Sequence, residues 1–274
     1  MTSFNTLFNR MFQQKSKTVY LIYLIQLFAS FCLTILLLIN SNGHTDQIVV
    51  NNHHESVNIF IVFMVVFAGI MFATSFLANF VYWIISAVKN EKIVRSQTWR
   101  LIPIDDTKFL LSNFTSAFLT YVWLCILEFL TALLASLPIL CNGTVRDSIF
   151  ATRHQLTADN WKQLLGILIL TFLFAYAWYS VISLLNLSSR SIIDFLPIKS
   201  SKIVTFIIRV IIIFIILWLL FIVTSNLSQA IPAAFGIQNT NSPNDAIVLF
   251  LAFDIIISLI DAFLLSKFVE AKQN

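Results

Sequence analysis

Four ionisable side chains stand where charge is expensive: Glu128, Arg209, Asp254 and Asp261 each fall inside a long apolar run. Within lipid such residues face protein or water, and they mark solute or proton paths or act as links between helices. Asp254 and Asp261 are seven residues apart, so on a helix they share a face, expected to point into a bundle or a dimer seam. At about 1.5 Å per residue, Asp254 comes near mid-membrane and Glu128 in the outer half. Arg209 and Asp261 sit at similar depth toward the inner surface, which predicts an Arg209–Asp261 pair. A path for solute and a structural tie both fit this set. A proton relay would want an imidazole in the membrane, and all four histidines lie in predicted outer connectors.

Other chemistry is sparse. His44, Asp46, His53, His54 and Glu55 crowd one connector. Imidazole and carboxylate together can hold zinc, but no helix fixes their spacing, so the group reads as a solvated polar loop and no metal is expected. No G-x-x-x-x-G-K-[ST], G-x-S-x-G or H-E-x-x-H occurs. The chain therefore has no P-loop for ATP and no signature of a hydrolase or metalloprotease. Five glycines leave no phosphate cradle and no glycine-rich ion filter. Cys32 and Cys125 fall in apolar runs, Cys141 has no evident partner, and no disulfide is predicted.

The elements that carry these residues follow from composition. Hydrophobic residues make up 58% of the 274 and charged residues 11%, against roughly 25% charged in soluble domains. Six runs reach the roughly 20 residues that span a bilayer: about 19–39, 57–88, 110–138, 163–187, 203–225 and 245–266. Lipid leaves open backbone groups unsatisfied, so the runs are read as helices. They are too long for barrel strands. The first has a long polar lead-in and no small-x-small cleavage site, so it is expected to be retained. The predicted fold is all-α and integral to the membrane.

Lys and Arg set the orientation. Arg10, Lys15 and Lys17, then Lys89, Lys92, Arg95, Arg100 and Lys108, then Arg190, Lys199 and Lys202, and finally Lys267 and Lys272 all fall on one side of six spans. Only Arg146, Arg153 and Lys162 fall opposite. Both termini are thus expected in the cytoplasm, with 267–274 as a short tail. The net charge of +4 reflects this asymmetry and gives no sign of nucleic-acid binding.

Residues 1–18 place Phe4, Leu7, Phe8, Met11 and Phe12 on one helical face. This predicts an amphipathic helix lying in the inner interface. The connector at 226–244 is only half polar and could re-enter the outer leaflet before the last span. LIPIDDTKF (101–109) and FLPIKSSKI (195–203) share a Pro-Ile start before an outgoing helix, a match that local capping chemistry produces without any duplication.

The connector at 89–112 interleaves Trp99, Leu101, Ile102 and Ile104 with its charges. Arg95, Trp99 and Ile102 share one helical face, expected to meet lipid or a partner. Pro103 stops that helix or starts the next, and Asp105, Asp106 and Thr107 supply caps.

An amphipathic amino-terminal helix, six spans with both ends inside, and SQTWRLIPIDDTKF (96–109) between spans two and three resemble the permease subunit of an ABC-2 type transporter. The ending LLSKFVEAKQN (264–274) is similar to the close of such permeases in Gram-positive bacteria. The likeness covers nearly the whole chain, but it rests on a short Arg-Leu-x-Pro-Ile core and a topology. It implies that the connector is a cytoplasmic coupling helix fitting a groove on a separate ATPase, with Arg95, Trp99, Arg100, Ile102, Pro103, Asp105 and Asp106 as its residues. It further implies two ATPase subunits, which hold the ATP and Mg, and a second permease copy or paralogue. Cargo would move outward, as a peptide, an antimicrobial or another amphipathic molecule. This chain would then be no enzyme and bind no cofactor. The alternative is a motor-independent secondary transporter or channel using Glu128, Asp254 and Asp261. The lack of Gly/Pro-broken central helices stands against it. An intramembrane enzyme is a third reading, and no histidine reaches the bilayer for it.

Overall fold

The computed structural model describes residues 4–40, 47–50, 53–56, 59–141, 143, 158–195, 202–235 and 243–268. The described chain is helical apart from one small hairpin. Its order is α1 (Phe4–Asn40), β1 (Gln47–Val50), β2 (His53–Ser56), α2 (Ile59–Arg95), α3 (Gln97–Arg100), α4 (Asp106–Cys141), α5 (Ala158–Phe195), α6 (Lys202–Phe235) and α7 (Pro243–Phe268). β1 and β2 pair antiparallel, Gln47 opposite Ser56. His44 and Asp46 lie outside the described residues, and His53 to Glu55 belong to β2. No cluster of metal-ligating side chains forms among the described residues.

Each of the six predicted apolar runs falls in one helix, apart from residues 57 and 58, which lie outside the described residues, and among the described residues six helices are long and apolar enough to cross a membrane. Their outward residues confirm the solvent they require. Phe28, Phe72, Phe76, Phe214 and Phe221 are each between 67% and 72% exposed. Water would penalise so much apolar surface, whereas acyl chains do not. Several helices exceed the bilayer. The 37 residues of α2 extend about 55 Å against a hydrocarbon core of about 30 Å, so the end bearing Lys89, Lys92 and Arg95 projects past it.

Residues 4–18 are helical but do not form a separate element. α1 runs unbroken from Phe4 to Asn40, because nothing between Gln13 and Tyr20 is glycine or proline. Its amphipathic face also meets protein. Leu7 and Met11 are buried with Ile93, Val94, Phe109 and Leu110 in one apolar cluster. Part of the expected connector at 226–244 is helix as well, since α6 continues to Phe235.

The chain divides into two compact units: Met1–Met11, Ser86–Phe118 and Lys162–Asn274 form the first, Phe12–Ile85 and Leu119–Trp161 the second. In the second unit, short polar side chains tie helices together. Ser30 Oγ and Thr74 Oγ1 are 2.9 Å apart, the Gln26 amide donates to the Met71 carbonyl at 3.5 Å, and Tyr23 bonds Thr131. Such small polar contacts allow close backbone approach in lipid.

Candidate functional site

Two features stand out in the first unit. One is the elbow between α2 and α4. After Arg95 the chain turns, with the Ser96 amide bonded to the Ile93 carbonyl at 3.1 Å. It forms the single turn of α3 and turns again, with the Ile102 amide on the Trp99 carbonyl at 3.4 Å. Pro103 follows the end of α3 and prevents its continuation. α4 then opens with the Phe109 amide bonded to the Asp105 carbonyl at 2.9 Å and with Asp106 in its first turn, where a carboxylate suits the helix dipole.

Exposure alternates along the elbow. Trp99, Ile102 and Ile104 are half-buried and pack on the cluster of Leu7, Met11, Ile93, Val94, Phe109, Leu110, Phe114, Leu187 and Leu265. Leu101, Pro103 and Asp105 face outward, with Leu101 81% exposed. Sequence reasoning grouped Arg95, Trp99 and Ile102 as the outward face. In the fold Trp99 and Ile102 are fastened inward, and Arg95 is occupied by Glu91 at 3.7 Å. Arg100 closes α3.

The second feature is a cavity of about 660 Å³, within the roughly 300–1,000 Å³ of small-molecule sites. α4 contributes Thr107, Leu110, Leu111, Phe114 and Phe118; α5 contributes Ile169, Phe172, Leu173 and Tyr176; α7 contributes Leu251, Asp254, Ile255, Ser258, Leu259 and Ala262. Every set repeats at three or four residues, one face of a helix. The aromatic rings interlock edge to face: Phe114 with Tyr176 at 6.1 Å, Phe118 with Phe172 at 6.0 Å, and Phe118 with Tyr176 at 6.3 Å. The Tyr176 and Ser258 hydroxyls bond each other at 3.0 Å. Asp254 is 5% exposed, and neither carboxylate oxygen has a hydrogen-bond partner. Leu110 and Phe114 belong both to this wall and to the cluster under the elbow.

The other sequence candidates are placed elsewhere. Asp261 shares α7 with Asp254, as its spacing required, but it does not line the cavity. It is fully buried, and it makes no ion pair with Arg209. Instead Arg95, Arg190 and Arg209 act on Glu91, and the polar groups near Asp261 include Glu91, Ser183 and Tyr176. Ser183 lies alongside without closing a hydrogen bond, so both Asp261 carboxylate oxygens lack a partner. Similar depth had suggested the Arg209 pair, but depth does not fix which way a helix is rotated. Glu128 belongs to the second unit. Asn79 donates to its Oε2 at 3.0 Å and the Cys125 thiol approaches Asn79 Oδ1 at 3.9 Å, while Oε1 has no partner.

Glu91, Tyr176 and Ser258 escaped sequence reasoning. Glu91 and Arg95 at i, i+4 look like an ordinary surface pair. The Asp254–Ser258–Ala262 stripe was legible as one face, but not as a cavity wall.

A carboxyl buried without a partner, next to a second acid, costs more than an apolar side chain that could replace it. Asp261→Leu is therefore expected to raise stability, by roughly 1–3 kcal/mol. The thermal midpoint of the detergent-solubilised chain measures this. A lower midpoint would mean that Asp261 has a partner the fold depends on.

These features define a polytopic helical membrane protein with an aromatic, singly acidic cavity beside a structured elbow. Comparison with protein-family models, with curated proteins and with solved structures finds no match.

Proposed function

We propose that this chain is the membrane subunit of an ATP-driven exporter, driven by separate ATPase subunits through the elbow at 96–109. One observation carries the reading. The elbow's inner side is locked to the apolar cluster, its outer side presents Leu101, Pro103 and Asp105, and that cluster shares Leu110 and Phe114 with the cavity wall. A push on the outer side reaches the wall through packed side chains rather than through loose loop. Packed interiors deform little, so displacement passes on as movement of the wall.

In this reading both termini and the elbow lie in the cytoplasm, as the Lys and Arg bias requires. Two ATPase subunits hold the ATP and Mg, and a second permease, identical or paralogous, completes the assembly. ATP binding favours one of two cavity conformations, and that difference in affinity is the source of work. Trp99 and Ile102 anchor the elbow; Pro103 and Asp105 join Leu101 as the docking set. Asp254, on the cavity wall, is the path residue, while Glu128, bonded by Asn79, ties two helices.

The unpartnered Asp254 also favours a second reading, a motor-free carrier or channel. The two are separated by purifying the chain from its native membranes in mild detergent. An exporter subunit carries an ATPase and hydrolyses ATP. In intact cells, Thr98→Cys, on the exposed side of α3, carried in a chain whose Cys32, Cys125 and Cys141 are replaced by serine, is then expected to resist a membrane-impermeant maleimide until the membrane is opened. Labelling from outside, or solute flux by the isolated chain without ATP, would overturn the exporter reading.

A further inference from the structure

We infer that the cavity between α4, α5 and α7 binds a hydrophobic organic cation, with the positive charge against Asp254 and the apolar body among the surrounding rings. The inference deepens the exporter reading, and rests on it only for treating that ligand as cargo.

The polar groups of the wall show what is missing. The Tyr176 and Ser258 hydroxyls satisfy one another at 3.0 Å, and Thr107 lies exposed at the start of α4. Asp254 is what remains: a lining residue 95% removed from solvent, with both carboxylate oxygens buried and lacking a partner. No lysine, arginine or histidine lines the cavity among the described residues. A charge so placed is costly until a counter-charge arrives. The ligand that offsets this cost is a cation, and an anion meets only repulsion.

The rings add a second, independent selection. Phe114, Phe118, Phe172 and Tyr176 come from two helices and hold one another edge to face, so their positions are set before any ligand enters. Ring faces attract cations, most strongly away from water. They also fit an apolar body better than a hydrated metal ion, which would find only one carboxylate where a hard cation needs several oxygens. The size selects a molecule of drug-like bulk rather than an inorganic ion.

The test uses the full chain in lipid nanodiscs without any ATPase, so its outcome is independent of the exporter reading. The probes are tetraphenylphosphonium and its near-isosteric anion, tetraphenylborate. Wild-type chain is expected to bind the phosphonium saturably and, in separate samples because the two ions precipitate together, to show no saturable binding of tetraphenylborate. Asp254→Asn is expected to weaken it at least about tenfold, the loss of one desolvated charge contact. Removing an uncompensated charge favours the fold, so the variant serves as its own control when its thermal midpoint is measured alongside. Phe172→Ala, which keeps the charge and removes a ring, is expected to weaken binding by a smaller factor. Three results overturn the inference: no saturable phosphonium binding to wild type, equal affinity in Asp254→Asn, or saturable binding of tetraphenylborate. The last two would make the cavity a groove for lipid tails or for a helix of a second copy.

Discussion

On the exporter reading proposed above, replacing Leu101 with aspartate is expected to abolish association with an ATPase and ATP-driven transport while leaving the fold intact. Leu101 is 81% exposed and lies outside the apolar cluster, so the substitution falls among surface changes worth within about ±0.5 kcal/mol. At a docked interface the same change removes a central apolar anchor and leaves a charge buried without a partner. Central anchors of this kind cost about 2–4 kcal/mol when truncated, a roughly thirtyfold to thousandfold loss of affinity before the buried charge is counted. The measurement is the ATPase content and ATP hydrolysis of the purified complex, beside the thermal midpoint of the variant chain. Trp99→Ala is a poorer probe, because Trp99 packs on the cluster and its loss weakens fold and docking together. If Leu101→Asp keeps its ATPase and still transports, the elbow is a structural turn and force enters elsewhere.

The contrast between Leu101 and Trp99 shows what periodicity can and cannot reveal. Apolar runs of bilayer length identified all six long helices, since burial in lipid leaves an unmistakable mark on composition. Seven-residue spacing placed Asp254 and Asp261 on one helix face, because helix geometry alone decides that. Spacing does not say what the face meets. Leu7 and Met11 formed a legible apolar stripe, yet protein covers it rather than lipid headgroups, and both environments reward the same residues. Trp99 and Ile102 were grouped correctly and turned the wrong way for the same reason. The cavity was written into three stripes on α4, α5 and α7, but contact between helices far apart in sequence is set by packing that no single stripe records. Glu91 was hidden differently: the charges of Arg190 and Arg209 that act on it lie on helices whose rotation the sequence leaves open.

Phe114→Ala separates docking from transmission. Phe114 is 1% exposed, belongs to the cluster beneath the elbow, forms part of the cavity wall, and meets the Tyr176 ring at 6.1 Å and 89°. Its truncation opens a void in both places at once. A buried Phe→Ala change costs about 3–5 kcal/mol, and loss of the edge-to-face pair is worth about 0.5–1.5 kcal/mol within that total. The thermal midpoint is expected to fall more than for any exposed substitution. Below that midpoint Leu101, Pro103 and Asp105 remain presented, so on the exporter reading the proposed ATPase is expected to stay bound and still hydrolyse ATP. Cargo moved per ATP is expected to fall about threefold to thirtyfold, the effect of losing roughly 0.5–2 kcal/mol of coupling. Phe114→Leu discriminates further. It refills much of the void and recovers stability and coupling, but it carries no ring, so affinity for an aromatic-seeking cation stays low. Unchanged transport per ATP in a folded Phe114→Ala chain would mean that the wall moves without the cluster, and the path from elbow to cavity would have to run through another helix.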